Sequence, residues 1–299
     1  MNKFLKIAIV IAISAMQGCA NNYIDSSSAV MSQLIIAEPL AVNYKSEIAL
    51  ARLTEVIHRA EITDAQRAEL YYDRGVIYDS VGLRSLARLD FNRALRLKPD
   101  FVDAYNFLGI HYTQMQEFNQ AYEAFDSALD LSPEHQYAYL NRGIALYYGG
   151  RAELSIEDFT AFHQEKKSDP YRILWLYLAE SEEDKLSAKI TLKDYSKLVD
   201  ENVWAKTIIQ LYLGEMTHQT FVRQLTVGVS SSKALSERLC EAYFYLGKYY
   251  QLQGKDKSAV NFFKLALSTN VYEFVEHRYA RLELDLIRQK LVESLKSPS

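Results

Sequence analysis

The sequence predicts an all-α chain of stacked helical hairpins. Gly75, Gly109 and Gly143 stand 34 residues apart, and Gly247 follows 104 residues after the third. Other residues keep register with these glycines. Tyr71, Tyr105, Tyr139 and Tyr243 lie four before; Ala87, Ala121 and Ala259 twelve after; Phe91, Phe125, Phe159 and Phe263 sixteen after; Ala94, Ala128 and Ala266 nineteen after. No segment alternates as a strand does, prolines number five in 299 residues, and 49% of the chain is apolar, enough for a sizeable core. A fixed period of this length marks an array in which each hairpin buries its apolar face on its neighbours.

The pattern resembles the tetratricopeptide (TPR) repeat, a scaffold for binding other proteins. Helical glycine costs about 1 kcal/mol relative to alanine, so four at one register need a packing reason. The reason expected here is close approach to the small Ala twelve residues on, with the Phe and second Ala packing on the next hairpin. Gly82, Gly150 and Gly254 follow seven residues after a repeat glycine, where a turn calls for positive φ. Pro99 and Pro133 stop the second helices. The repeats are placed at 68–101, 102–135, 136–169 and 240–273. In the third, Ser155, Phe162 and Lys167 replace Ala, Ala and Pro, and Val271 replaces Pro in the fourth. Residues 170–239 read as two irregular helix pairs around Trp175 and Trp204, with Gly214 as a turn and 227–232 as a loop.

Ahead of the repeats, Ala49, Leu50, Leu53, Val56 and Ile57 form an apolar stripe, so an amphipathic helix is expected within 43–67. It serves either as a cap on the open end of the array or as a dimer contact. Thr63 and Gln66 have capping-box spacing for the first repeat helix. At the other end, 274–299 reads as a helix and a polar tail, with residues 290–299 expected to lack fixed structure.

The N-terminus carries an address. Lys3 and Lys6 precede an apolar run over 7–16, then Gln17, Gly18 and Cys19. That is the layout of a secretory signal. As helix, the run spans about 15 Å, short of the roughly 30 Å of hydrocarbon in a bilayer. Cys after Gly here resembles the lipobox of bacterial lipoproteins, although Met16 and Gln17 are uncommon there. The resemblance implies a signal peptide at 1–18 and acylation of Cys19, and Ala20 in place of Asp implies the outer membrane. Several acyl chains make such anchoring effectively permanent. Residues 19–42 read as lipidated Cys and tether, whose apolar part, 31–42, is expected to dock on a partner subunit.

Formal charge is −4, and −6 without Lys3 and Lys6, which gives no basic face for nucleic acid. The histidines His58, His111, His135, His163, His218 and His277 form no H-E-x-x-H, and no two stand four apart. Neither a nucleophile elbow nor a phosphate-binding glycine loop is present. Glu276-His277 reads as an ordinary surface or packing pair, 182–184 as a solvated acidic turn, and Cys240 as a buried small residue. The chain is therefore expected not to be an enzyme and to need neither metal nor cofactor. In TPR arrays the first helices line a concave groove. The outward residues there are Tyr72, Val76, Asp79, Asn106, Ile110, Thr113, Leu140, Ile144 and Tyr147. They lack the Lys/Arg/Asn set that grips a C-terminal carboxylate.

Signal, lipobox, early helix and repeat register together resemble the NlpI family of bacterial TPR lipoproteins, most densely over 140–151, 245–250 and 274–280. The resemblance implies a homodimeric outer-membrane lipoprotein facing the periplasm. It implies an adaptor that brings peptidoglycan endopeptidases to a periplasmic tail-specific protease, regulating cell-wall growth and division. The alternative is a pilotin-like TPR lipoprotein that assists secretin or pilus assembly.

Overall fold

The computed structural model describes residues 35–59 and 61–296. The expected signal peptide, Cys19 and the tether up to Leu34 lie outside the described residues. Fourteen helices and no strand occur among the described residues, all within one compact unit, 36–299. After α1 (Tyr44–Arg59) come three hairpins. These are α2 (Asp64–Ser80) with α3 (Arg84–Leu97), α4 (Val102–Gln114) with α5 (Phe118–Leu131), and α6 (Gln136–Tyr148) with α7 (Ala152–Glu165). Two irregular pairs follow: α8 (Pro170–Glu183) with α9 (Lys185–Ser196), and α10 (Lys206–Leu213) with α11 (His218–Gln224). The last hairpin is α12 (Ser232–Gln251) with α13 (Asp256–Ser268), and α14 (Val275–Lys296) ends the unit. This is a TPR-type solenoid.

Each repeat glycine meets an aromatic ring, not the alanine expected from the sequence. A Cβ added at Gly75 would lie 2.7 Å from the Phe91 ring; at Gly109, 2.5 Å from Phe125; at Gly143, 2.8 Å from Phe159; at Gly247, 2.4 Å from Phe263. The hairpin thus closes through a ring laid flat against bare backbone. The alanines serve the joint between hairpins. Ala87 and Phe91 cluster with Leu108 of the next unit, and Ala121 and Phe125 with Ala145. In the turns, Gly82, Gly150 and Gly254 have positive φ, and the second hairpin places Gln116 in that register at φ 62°.

A second device recurs at twice the repeat period. Arg74 grips Asp90 with two bonds, 2.6 and 2.9 Å, and Arg142 grips Asp158 with two, both 2.8 Å. Each Arg precedes the repeat glycine and each Asp precedes the repeat Phe. The paired fork geometry suits guanidinium and carboxylate and fixes helix against helix.

Local signals explain the helix starts. Thr63 and Gln66 form a reciprocal cap, Gln66 N donating to Thr63 Oγ1 at 3.2 Å and Thr63 N to Gln66 Oε1 at 2.9 Å. Pro170 opens α8 behind Asp169, and Ser231 caps α12, which therefore begins ahead of the expected 240. Of the stripe on α1, only Ile57 is fully buried. The helix covers the first hairpin through the carbonyl of Ile57, which accepts from Arg67, and through Thr54, which accepts from Arg74 at 3.0 Å.

One expectation is corrected at the C-terminal end. At the other, Leu40 N donates to Thr269 O at 2.9 Å and Ser236 Oγ to Glu38 O at 3.1 Å, while Ile36 and Val42 stay exposed. Extended backbone finds its hydrogen-bond partners at the open end of the last hairpin. Residues 290–296 are helical, because α14 runs on to Lys296. The first and last hairpins also meet, the Tyr272 ring lying against the turn at Gly82.

Gly109→Ala should destabilise the chain by about 1–2 kcal/mol, because overpacking against Phe125 outweighs the gain in helix propensity. Urea unfolding measures this, and the penalty should shrink in a Phe125→Leu background.

Candidate protein-binding groove

The face built by α2, α4, α6 and α8 carries the residues expected to line an open groove. It is not open along its length, because the first half of α14 lies against it. Arg278 reaches Asp79 at 2.5 Å, and the other Asp79 oxygen takes His111 Nε2 at 2.9 Å. Tyr279 stacks on Tyr148, with centroids 5.4 Å apart, and stands edge-on to Trp175 at 6.2 Å. Glu283 accepts from Lys248 Nζ at 2.5 Å, Tyr148 Oη at 2.9 Å and Gln251 Nε2 at 2.8 Å.

The expectation of nine outward residues is corrected accordingly. Asp79, Asn106, Ile110, Thr113, Leu140 and Ile144 are buried, and Tyr72, Val76 and Tyr147 half-buried. Asp79 is held by α14. Asn106 Oδ1 accepts from Asn141 at 3.0 Å, and Thr113 Oγ1 donates to Gly109 O at 2.8 Å. Ile110 packs with Ala121, Phe125 and Ala145. The Tyr72 ring lies 4.6 Å from Phe101. Tyr147 accepts from Lys248 Nζ at 2.9 Å. Leu140 lines a pocket of about 300 Å³ with Tyr137, Phe162 and Trp175.

Charge and apolar burial both hold α14, which also buries Tyr279, Ala280, Leu282 and Leu284. Burial works against the Lys248 ammonium, but Glu283 and then Tyr147 outweigh it, so its pKa lies above the ordinary lysine value. Burial likewise raises Asp79, but the His111 hydrogen bond and the Arg278 charge prevail and hold the carboxyl below its usual range. Burial pushes the Tyr147 hydroxyl up to about 12.

The sequence reading missed Lys248, Glu283 and Arg278, because isolated charges on helices read as solvated. A signal existed in part: Tyr147, Tyr148, Lys248, Arg278 and Tyr279 all fall within the three segments 140–151, 245–250 and 274–280. These segments, far apart in the chain, meet at this network. Among the described residues no three His, Cys, Asp or Glu side chains converge as a metal site, and no helix is long and apolar enough to cross a membrane. Cys240 is buried and unpaired, and Glu276 and His277 are both buried.

The tetratricopeptide repeat profile matches residues 68–101 and 102–135. These two segments are TPR repeats. They fall on the first two hairpins, the first match beginning four residues inside α2. Solved structures similar to the chain include a tetratricopeptide repeat protein from Parabacteroides merdae, 15% identical, covering 82% of this chain and 100% of that one at a TM-score of 0.49. PilF of Pseudomonas aeruginosa is 17% identical, covering 74% and 99%, at 0.45. PilW, a type IV pilus biogenesis factor, is 17% identical, covering 79% and 98%, at 0.44. The repeats make the chain a protein-interaction scaffold.

Lys248→Met strands the buried Glu283 carboxylate, so it should cost about 3–5 kcal/mol and speed hydrogen exchange in α14 above all. Adding Glu283→Leu should recover most of that loss. A pH effect is expected from Glu180, whose Oε2 is buried without a hydrogen-bond partner. Burial pushes its pKa from 4.5 up to about 7. A raised carboxyl contributes stability that is present below pH 4.5 and lost as pH rises through 7. Glu180→Gln should therefore leave Tm nearly unchanged at pH 4.5 and raise it at pH 8, as read by thermal melts.

Proposed function

We propose that this chain is a lipid-anchored adaptor of the bacterial envelope. Its Cys19 is acylated and holds it at the outer membrane, facing the periplasm. It brings peptidoglycan endopeptidases to a tail-specific protease, as a homodimer, and so regulates wall growth and cell division. The observation that carries this reading is the convergence of 140–151, 245–250 and 274–280. The segments of densest resemblance to the NlpI family build one network, from Tyr147 and Tyr148 through Lys248 to Tyr279. A resemblance scattered over unrelated surface would lend no such support.

The adaptor mechanism needs no chemistry from the chain. A rigid solenoid holding protease and substrate at separate surfaces turns their encounter into an intramolecular event, raising effective concentration without a new contact between them. Lipid anchoring confines that encounter to the membrane surface.

Full-length chain in detergent micelles, used as bait in envelope extract, should recover both a tail-specific protease and a wall hydrolase. A deletion strain should accumulate the hydrolase and septate abnormally. Recovery of neither class sinks the adaptor reading, and loss of pili or secretin multimers with normal hydrolase levels would favour the pilotin-like alternative. Cys19→Ala should move the chain from the membrane pellet to a soluble fraction, with no acyl mass detected on the protein.

A further inference from the structure

We propose that the pocket between α6, α8, α12 and the start of α14 recognises a lysine or arginine side chain of a peptide partner. The assignment rests on the scaffold reading and adds a binding chemistry to it.

Four carboxylates line this pocket: Asp169, Glu241 on α12, Glu273, and Glu276 in the first turn of α14. Glu276 is 7% exposed and Glu241 half-buried. Neither forms an ion pair among the described residues. Glu241 accepts hydrogen bonds from Trp204 Nε1 at 3.2 Å and from Tyr171, and the charge of Arg238 offsets its own only in part. The cations that could answer them are engaged elsewhere. Arg238 lies over the Trp204 ring at 4.8 Å and donates to Val227 O at 2.5 Å. Arg278 is held by Asp79. Arg172, in the pocket wall, stacks on Phe162 at 3.7 Å and donates to Phe162 O and, at 2.6 Å, to Gln136 Oε1.

Two carboxylates brought together out of water without a cation are a standing cost to the fold. Burial pushes both carboxyls up, and the charge of Glu276 pushes Glu241 further. Packing alone gives no reason to keep both, since Gln fills the same volume without the repulsion.

A second, separate observation points to a ligand. Arg172 is 6% exposed, and its Nε has no hydrogen-bond partner. The nearest carboxylate oxygen, Asp169 Oδ2, stands 4.0 Å away. The pocket therefore offers two carboxyls without an ion-pair partner, whose ionised form a bound cation would favour, and one orphan donor. A basic residue within a peptide supplies both complements: its cationic head for the glutamates and a backbone carbonyl for Nε. The remaining wall suits the stem. Trp175, Leu140 and Phe162 are apolar, and Tyr137 stands exposed at the mouth. Aromatic faces favour a cation, and long basic side chains lay their methylenes on such surfaces. The volume of about 300 Å³ is at the small end of ligand pockets, right for one side chain and not for a folded element.

The test is calorimetric titration of the full-length chain in detergent micelles with acetyl-Ala-Lys-Ala-amide and with its norleucine counterpart. The lysine peptide should bind saturably, about tenfold tighter or more than the neutral one, as a charge-assisted contact gives. The double variant Glu241→Gln/Glu276→Gln should erase that preference with Tm unchanged or raised. Should the double variant melt early, Glu241→Gln alone must still weaken the lysine peptide several-fold. Equal binding of the two peptides, a preference that survives in the variants, or no saturation at millimolar peptide would each overturn the assignment. Tighter binding of free lysine than of the peptide would overturn the peptide as ligand. If the pocket fails while the chain still captures protease and hydrolase, the pocket assignment falls and the adaptor reading stands.

Discussion

The contact between a helical glycine and the aromatic ring sixteen residues later is the constraint from which the solenoid is built. In each of the four clear hairpins, a single added methyl would come within 2.8 Å of that ring. The ring closes the hairpin and also reaches the next one, Phe91 stacking on Phe107 at 4.8 Å. One side chain thus sets the geometry both within and between units. Interiors packed to crystal-like density transmit such a constraint rather than absorb it. This is why the same residue types recur at the same period.

Upon that frame α14 is fastened by a different kind of force. Its ties to the repeat face are Arg278–Asp79 and Lys248–Glu283, with tyrosines Tyr148 and Tyr279 stacked between. Buried ion pairs add little net stability compared with apolar residues of the same volume, but breaking one is expensive. They therefore specify a single position for the helix more than they strengthen the fold. That position decides which part of the repeat face is available. Part of the surface that a bare TPR array would present is covered, and beside the covered part lies the small pocket around Leu140 and Trp175.

The adaptor reading and the pocket draw on different features of the molecule. One depends on the address at Cys19 and on the meeting of three distant segments. The other depends on two carboxylates left without a cation in a wall of aromatic side chains. A scaffold that confines its partners needs rigid placement of small recognition points, and a pocket bounded by four helices is rigid in that sense.

Much of the fold was legible in the sequence because its determinants are local and periodic. The 34-residue register, the Thr63–Gln66 cap, the turns at Gly82, Gly150 and Gly254, and the two irregular pairs in 170–239 all follow from spacing within one or two helices. The Arg74–Asp90 and Arg142–Asp158 pairs, at twice the period, were not read from the sequence, because charged residues on helices read as solvated. The site was not legible. Residues outward on an isolated hairpin become interior once the next hairpin packs on them, as at Asn106 and Ile110, or a distant helix does, as at Asp79, and no spacing within the repeats announces that helix. The pairing of Lys248 with Glu283, or of Glu241 with Glu276, joins helices that only the closing of the array brings together. The sequence alone determined a periodic stack of hairpins. Only the tertiary structure decided which surface of that stack is open, because contacts between distant elements depend on the accumulated rotation of every repeat between them.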